Sequence, residues 1–205
     1  MCIVDADVAR RIGWTVADLA AAFIDGGATL LQLRAKSAPS GEFLDAAAAI
    51  AARAHRSGAR LVINDRADIA RLSGADGLHI GQEDLAAPLV RGLLGADAII
   101  GLSTHTDTQL QAALAAPVDY VATGPVFGTT TKSTGYDSIG LESVRRGAAL
   151  ARGSGRPLVA IGGITLETAP DVLRAGASTV AVITDLVAGG DPAARVRAYL
   201  ARLTV

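Results

Sequence analysis

One pattern runs through the chain eight times: a short apolar run, a polar loop, then a longer segment of helical periodicity. The apolar runs fall at 2–4, 29–33, 60–63, 77–80, 99–102, 120–122, 158–161 and 179–183. The helical segments fall at 15–25, 41–57, 67–73, 85–94, 108–115, 141–152, 166–175 and 192–203. Most of the runs are continuously apolar rather than alternating, as suits parallel strands covered on both faces. Several helical segments end in small-residue turns, such as Asp25-Gly26-Gly27-Ala28 and Arg174-Ala175-Gly176-Ala177, where glycine stops the helix. Eight strand–helix units in sequence predict one domain over residues 1–205, a (β/α)8 TIM barrel, compact against the roughly 250 residues typical of that fold. An open doubly wound sheet is the alternative; no Gly-x-Gly-x-x-Gly follows the first run to support it.

Composition narrows the partners. Nineteen Lys and Arg against 20 Asp and Glu leave a net charge of −1, so anion binding has to be local rather than a property of the whole surface. An aromatic content of 3% offers few platforms for stacking bases, and no apolar run approaches the roughly 18 residues of a membrane span, so neither nucleic acid nor membrane is an expected partner. A single cysteine, Cys2, excludes an intrachain disulfide framework and suits a reducing cytoplasm. The stretch Met1-Cys2-Ile3-Val4-Asp5-Ala6-Asp7 turns acidic at once, unlike a secretory signal. Small-molecule substrates are therefore expected, with a homo-oligomer compatible.

In a barrel of this kind the chemistry sits in the loops after the strands. After 120–122 comes Thr123-Gly124-Pro125-Val126-Phe127-Gly128-Thr129-Thr130-Thr131-Lys132, whose small residues, hydroxyls and lysine suit a grip on phosphate oxygens. Gln32, Arg34 and Lys36 stand at i, i+2 and i+4, so an extended chain turns all three to one side. Two cations and an amide there fit a diphosphate, arginine as a planar fork and lysine as a point charge; the simpler reading is the start of a solvated loop. Asp65 and Asp84 follow the third and fourth strands, which lie about 4.8 Å apart, so two carboxylates there can share a Mg²⁺ whose other ligands are water and phosphate oxygens. Each aspartate could instead cap the helix that follows it.

His79 lies within a strand and reads as an interior packing residue, and His105 lies in a loop. Neither has the paired partners of a zinc site. Ser103 lacks the Gly-x-Ser-x-Gly elbow of a hydrolase and reads better as a hydroxyl donor to phosphate. Ala160-Ile161-Gly162-Gly163-Ile164 and Val182-Ile183-Thr184-Asp185 follow the last two strands, where this fold repeatedly cradles a phosphate on backbone N–H groups. Two anion sites and a metal imply two phosphorylated substrates.

Six motifs in order, Gln-Leu-Arg-x-Lys (32–36), Asn-Asp-Arg (64–66), Gly-Leu-His-Ile-Gly-Gln-Glu-Asp (77–84), Gly-Leu-Ser-Thr-His (101–105), Gly-Pro-Val-Phe-x-Thr-x-Thr-Lys (124–132) and Ala-Ile-Gly-Gly-Ile (160–164), resemble the thiamine phosphate synthase family. The resemblance implies a TIM-barrel transferase that joins hydroxymethylpyrimidine diphosphate to a thiazole phosphate and releases diphosphate. By matching position it gives the pyrimidine diphosphate to Gln32, Arg34, Lys36, Asn64, Ser103 and Lys132, and Mg²⁺ to Asp65 and Asp84. It gives the thiazole phosphate to Thr129, Thr130, Thr131, Gly163, Ile183 and Thr184. Arg34, Lys36, Ser103 and Lys132 take the catalytic part. The chain departs from the family where Cys2-Ile3-Val4-Asp5-Ala6-Asp7 replaces an apolar strand ending in a hydroxyl residue and aspartate, and where Thr184 replaces serine. A related thiazole tautomerase, another phosphate-binding barrel such as an epimerase or decarboxylase, and a non-catalytic thiamine-phosphate sensor are the competing readings.

Overall fold

Eight strands, β1 (Cys2–Asp5), β2 (Leu30–Arg34), β3 (Arg60–Asn64), β4 (Gly77–Ile80), β5 (Ile99–Thr104), β6 (Tyr120–Thr123), β7 (Leu158–Ile161) and β8 (Thr179–Ala181), pair in parallel in chain order in the computed structural model, which describes residues 1–128 and 135–203. A parallel bridge from Cys2 to Val182 closes the sheet into the expected barrel. Ile3 N–H donates to the Val182 carbonyl at 3.0 Å and Val182 N–H to the Met1 carbonyl at 3.2 Å across this seam.

Helices cover the outside: α1 (Ala6–Arg11), α2 (Val16–Asp25), α3 (Ser40–Arg56), α4 (Ala67–Ser73), α5 (Ala87–Leu94), α6 (Asp107–Ala115), α7 (Gly140–Ser154), α8 (Ala169–Arg174) and α9 (Pro192–Leu203). Side-chain alternation divides the apolar residues into two sets. Leu31, Leu33, Leu61, Ile63, Leu78, Ile80, Ile100, Val121 and Leu158 point outward and are buried under the helices. Ile3, Tyr120, Ala122, Val159 and Ala181 point inward and form a separate small core on the β6–β1 side of the barrel. On β2 to β5 the interior positions include, besides the apolar Val62, the buried Gln32, Asn64, His79 and Ser103, so the polar chemistry is concentrated on one side of the lumen.

The ends of several elements differ from the sequence expectation. The six-residue α1 was not anticipated; it starts where Asp5, the last residue of β1, accepts a hydrogen bond from Val8 N–H at 3.0 Å. Strand β5 continues to Thr104, whose hydroxyl donates to the Ala122 carbonyl at 2.9 Å. Strand β8 stops at Ala181, because at Ile183 the backbone turns into a 3-10 helical turn over Thr184–Val187.

Candidate active site

Three groups of residues meet at the C-terminal end of the barrel. The deepest surrounds a space of about 30 Å³ inside the lumen, where Gln32 and Arg34 of β2, Asn64 of β3, His79 of β4, Ser103 of β5 and Tyr120 of β6 converge. The i, i+2 argument therefore holds for Gln32 and Arg34. Lys36 lies beyond the end of β2 and belongs to a different group.

Arg34 is fixed from the side by Asp5, whose carboxylate accepts from its Nη1 at 2.5 Å, and Asp5 is 2% exposed. Among the described residues the buried Arg34 Nε has no hydrogen-bond partner. One donor of the guanidinium fork is thus saturated by Asp5 and another is not. Asp5 escaped the sequence reading as a site residue; the signal that points to it is an acidic residue ending a barrel strand.

The second group is Lys36, Asp65 and Asp84. Lys36 Nζ stands 3.2 Å from Asp65 Oδ2. Asp65 occupies a three-residue γ-turn, with φ of 64° and Arg66 N–H donating to the Asn64 carbonyl at 2.8 Å, a conformation that non-glycine residues seldom adopt. Neither aspartate is a helix cap: α4 takes Arg66 as its N-cap and α5 takes Ala86. Asp84 instead accepts from Gly81 N–H at 2.7 Å. Desolvation raises the Asp84 carboxyl above the usual aspartate range; the Gly81 N–H opposes the shift, and the charge of Asp65 and a hydrogen bond with it add to the rise. Two carboxylates that disfavour each other's charge fit a divalent cation. Among the described residues no three His, Cys, Asp or Glu side chains cluster to hold a metal, so an ion here would take its remaining ligands from water and phosphate oxygens.

The third group lines an open cavity of about 440 Å³ that includes Ser103, His105, Gly124, Gly163, Ile183 and Thr184. The loops after β6 and β7 run together there: Val126 N–H donates to the Ile161 carbonyl at 2.9 Å and Phe127 N–H to the Gly162 carbonyl at 3.0 Å. Gly163 has φ of 64°, and a Cβ on it would lie 2.5 Å from the Gly128 carbonyl oxygen, so only glycine lets these loops close against each other. His105 Nδ1 lies 2.6 Å from the Gly124 carbonyl, and its ring stacks on Tyr136 at 4.2 Å. The Thr184 turn is held from behind by Asp185, which accepts from Leu166 N–H at 3.1 Å, Arg195 Nη2 at 2.9 Å and Tyr199 O–H at 2.5 Å.

The expected residues Gln32, Arg34, Asn64 and Ser103 are thus brought together in the lumen, Gly163, Ile183 and Thr184 meet in the open cavity, and Lys36, Asp65 and Asp84 stand apart from both linings. Thr129, Thr130, Thr131 and Lys132 lie outside the described residues. In the sequence Tyr120 stands out only as a strand residue. Its signal in the sequence is Gly101, the residue it pairs with on β5, where a Cβ would come 2.0 Å from the Tyr120 ring.

Fold and site together define a (β/α)8-barrel enzyme with polar and charged side chains gathered at the ends of its strands. The chain matches the family described as thiamine monophosphate synthase over residues 1–186 and belongs to it. It is 44% identical to the thiamine-phosphate synthase of Mycolicibacterium smegmatis, covering 91% of this chain and 85% of that one, and 40% identical to that of Roseiflexus sp., covering 88% and 75%. Among solved structures it resembles the thiamine phosphate pyrophosphorylase from Pyrococcus furiosus with a TM-score of 0.86 and 28% identity, covering 98% of this chain and 93% of that one. The chain is accordingly a transferase of thiamine biosynthesis.

Proposed function

We propose that the chain condenses 4-amino-2-methyl-5-hydroxymethylpyrimidine diphosphate with a thiazole phosphate to give thiamine phosphate and diphosphate. The observation that carries this reading is that Ser103 lines both the polar lumen and the open cavity, so a ligand held in the cavity reaches the polar groups of the lumen at that hydroxyl. In the proposed arrangement the pyrimidine diphosphate lies toward Gln32, Arg34, Asn64 and Ser103, and the thiazole phosphate toward Gly163, Ile183 and Thr184.

The step needs no covalent nucleophile. The bond from the pyrimidine methylene carbon to the diphosphate oxygen breaks, its electron pair leaves with diphosphate, and the amino-substituted ring delocalises the positive charge. The thiazole nitrogen lone pair then forms the new C–N bond, leaving a thiazolium and transferring no proton. Arg34 and Lys36 place positive charge beside the departing oxygens, and Ser103 holds the substrate between the two spaces. Asp65 and Asp84 are the residues suited to hold Mg²⁺, which when bound would supply further positive charge to the diphosphate. Lys132, from the loop after β6, is assigned to the same leaving group on the family resemblance.

Separate calorimetric titrations test the division. Asn64→Ala should weaken the pyrimidine diphosphate and spare the thiazole phosphate, and Thr184→Val should do the opposite. Loss of the same ligand in both variants would leave one anion site and overturn the two-substrate reading.

A further inference from the structure

The exposed positions of α5, Pro88, Leu89, Gly92 and Leu93, carry no charge, whereas each of the other helices exposes at least one charged side chain. Leu89 is 64% exposed and Leu93 49%. Leu85, just ahead of the helix, is 49% exposed, and Leu72 on α4, which packs beside α5, is 68% exposed. The remaining large exposed apolar side chains of the described residues stand singly on other elements. Single exposed leucines need no explanation, but four on adjoining segments mark a surface that something covers.

Gly92 narrows what covers it. A glycine in mid-helix costs stability relative to alanine. A Cβ on Gly92 would meet nothing within 4 Å, and its φ is not in the left-handed region that favours glycine. Nothing among the described residues therefore uses the missing side chain, and the use that is left is the close approach of another helix.

The charges at the two ends narrow it further. Glu83 precedes the N-terminal end of α5, and Arg71 lines the cavity between α4 and α5 with Leu94, the last residue of α5. That cavity also holds Asp97 and the Arg60–Asp76 pair, joined at 2.6 Å. Among the described residues neither Glu83 nor Arg71 has an ion-pair partner. The apolar stripe thus carries an acid at one end and a base at the other, which makes it complementary to itself under a two-fold axis across the helix. Running antiparallel, two copies set Leu89 against the partner's Leu93 and Glu83 beside the partner's Arg71. Parallel copies would set like charges together.

We propose that the α4–α5 face is the interface of a homodimer, in which α5 packs antiparallel on α5 of a second copy close to Gly92. The proposal does not depend on the reaction assigned above.

Sedimentation equilibrium of the full chain over a wide range of concentration tests it. The unmodified protein should associate reversibly to a dimer and no further, since a two-fold contact closes on itself. Leu89→Glu places a charge at the centre of the contact and should leave a monomer. Gly92→Gln adds a polar side chain there while favouring the helix, so it should separate the dimer and leave the chain folded by circular dichroism; were Leu89→Glu not to fold, this variant decides. Arg71→Glu and Glu83→Arg should each raise the dimer Kd about 10-fold, because the axis repeats each lost pair, and the double variant should restore it. An unmodified protein that stays monomeric at the highest concentration overturns the proposal, and cosedimentation of that monomer with phosphatidylcholine vesicles would give the leucines to a membrane instead. A dimer that survives both Leu89→Glu and Gly92→Gln lies on another face and overturns it as well. Charge variants that weaken the dimer singly without rescue in the double would refute the antiparallel pairing.

Discussion

Lys36 Nζ stands 3.2 Å from Asp65 Oδ2, so a cation assigned to the diphosphate is paired with a carboxylate assigned to the metal. Lys36 is half exposed and Asp65 largely shielded, at 52% and 23%. An ion pair of this kind contributes about 0.2–1 kcal/mol. In the proposed arrangement the lysine would compete with a divalent ion for Asp65 until a phosphate draws it away.

That competition gives Lys36→Met two opposite effects. Without substrate, Mg²⁺ should bind up to about five-fold more tightly, the equivalent of the lost ion pair. Turnover should fall, because the departing diphosphate loses a positive charge. Calorimetric Mg²⁺ titration and steady-state kinetics on the same preparation check both. Weaker Mg²⁺ binding in the variant would mean that Lys36 supports the metal site rather than competing for it.

The raised Asp84 carboxyl makes a statement about stability as a function of pH. Its folded state holds the proton more tightly than the unfolded chain, whose ordinary value is 3.8. The contribution is therefore fully present below that value and is lost as pH rises through the folded one. Because the side chain is exposed overall, the effect is small. Asp84→Asn retains an oxygen for Gly81 N–H and removes the charge. Compared with the unmodified protein in chelator, it should melt at the same or higher temperature at neutral pH, and Mg²⁺ should raise its melting temperature less. Thermal melts at several pH values, with and without Mg²⁺, measure both.

Asp185 ties the turn carrying Thr184 to α9 and to the segment before α8. Arg195→Ala removes a bidentate partner and leaves Asp185 with Tyr199 and the Leu166 N–H, which should cost roughly 1.5–3 kcal/mol. Denaturant titration reads that loss. With the Thr184 turn loosened, the KM for thiazole phosphate should rise while pyrimidine diphosphate binding stays as before. A loss of pyrimidine diphosphate binding instead would place Thr184 on the other side of the site.

The barrel was legible because each unit carries its own signal: a continuously apolar run, a loop of small and polar residues, and an amphipathic segment. Features fixed by long-range contact were not. The α1 helix is too short to show a period, and its start depends on Asp5 serving β1, α1 and Arg34 together. The 166–175 segment is helical only over Ala169–Arg174, because Thr165 and Thr168 hydrogen-bond each other ahead of it. Gln32 and Arg34 could be assigned to one face from spacing alone, since two residues of one strand are enough for that. The His79 contacts with Ser103 and Tyr120 could not, as these partners lie 24 and 41 positions away. Nor does a list of residue types distinguish an aspartate that caps a helix from one held in a γ-turn, as at Asp65.

The central claim is that this barrel joins two phosphorylated rings. Incubation of the full chain with the pyrimidine diphosphate, the thiazole phosphate and Mg²⁺, followed by mass detection, measures it directly. The account predicts thiamine phosphate and diphosphate in equal amounts, with neither formed when either substrate is omitted. Hydrolysis of the pyrimidine diphosphate without joining, or the absence of any product, would contradict it.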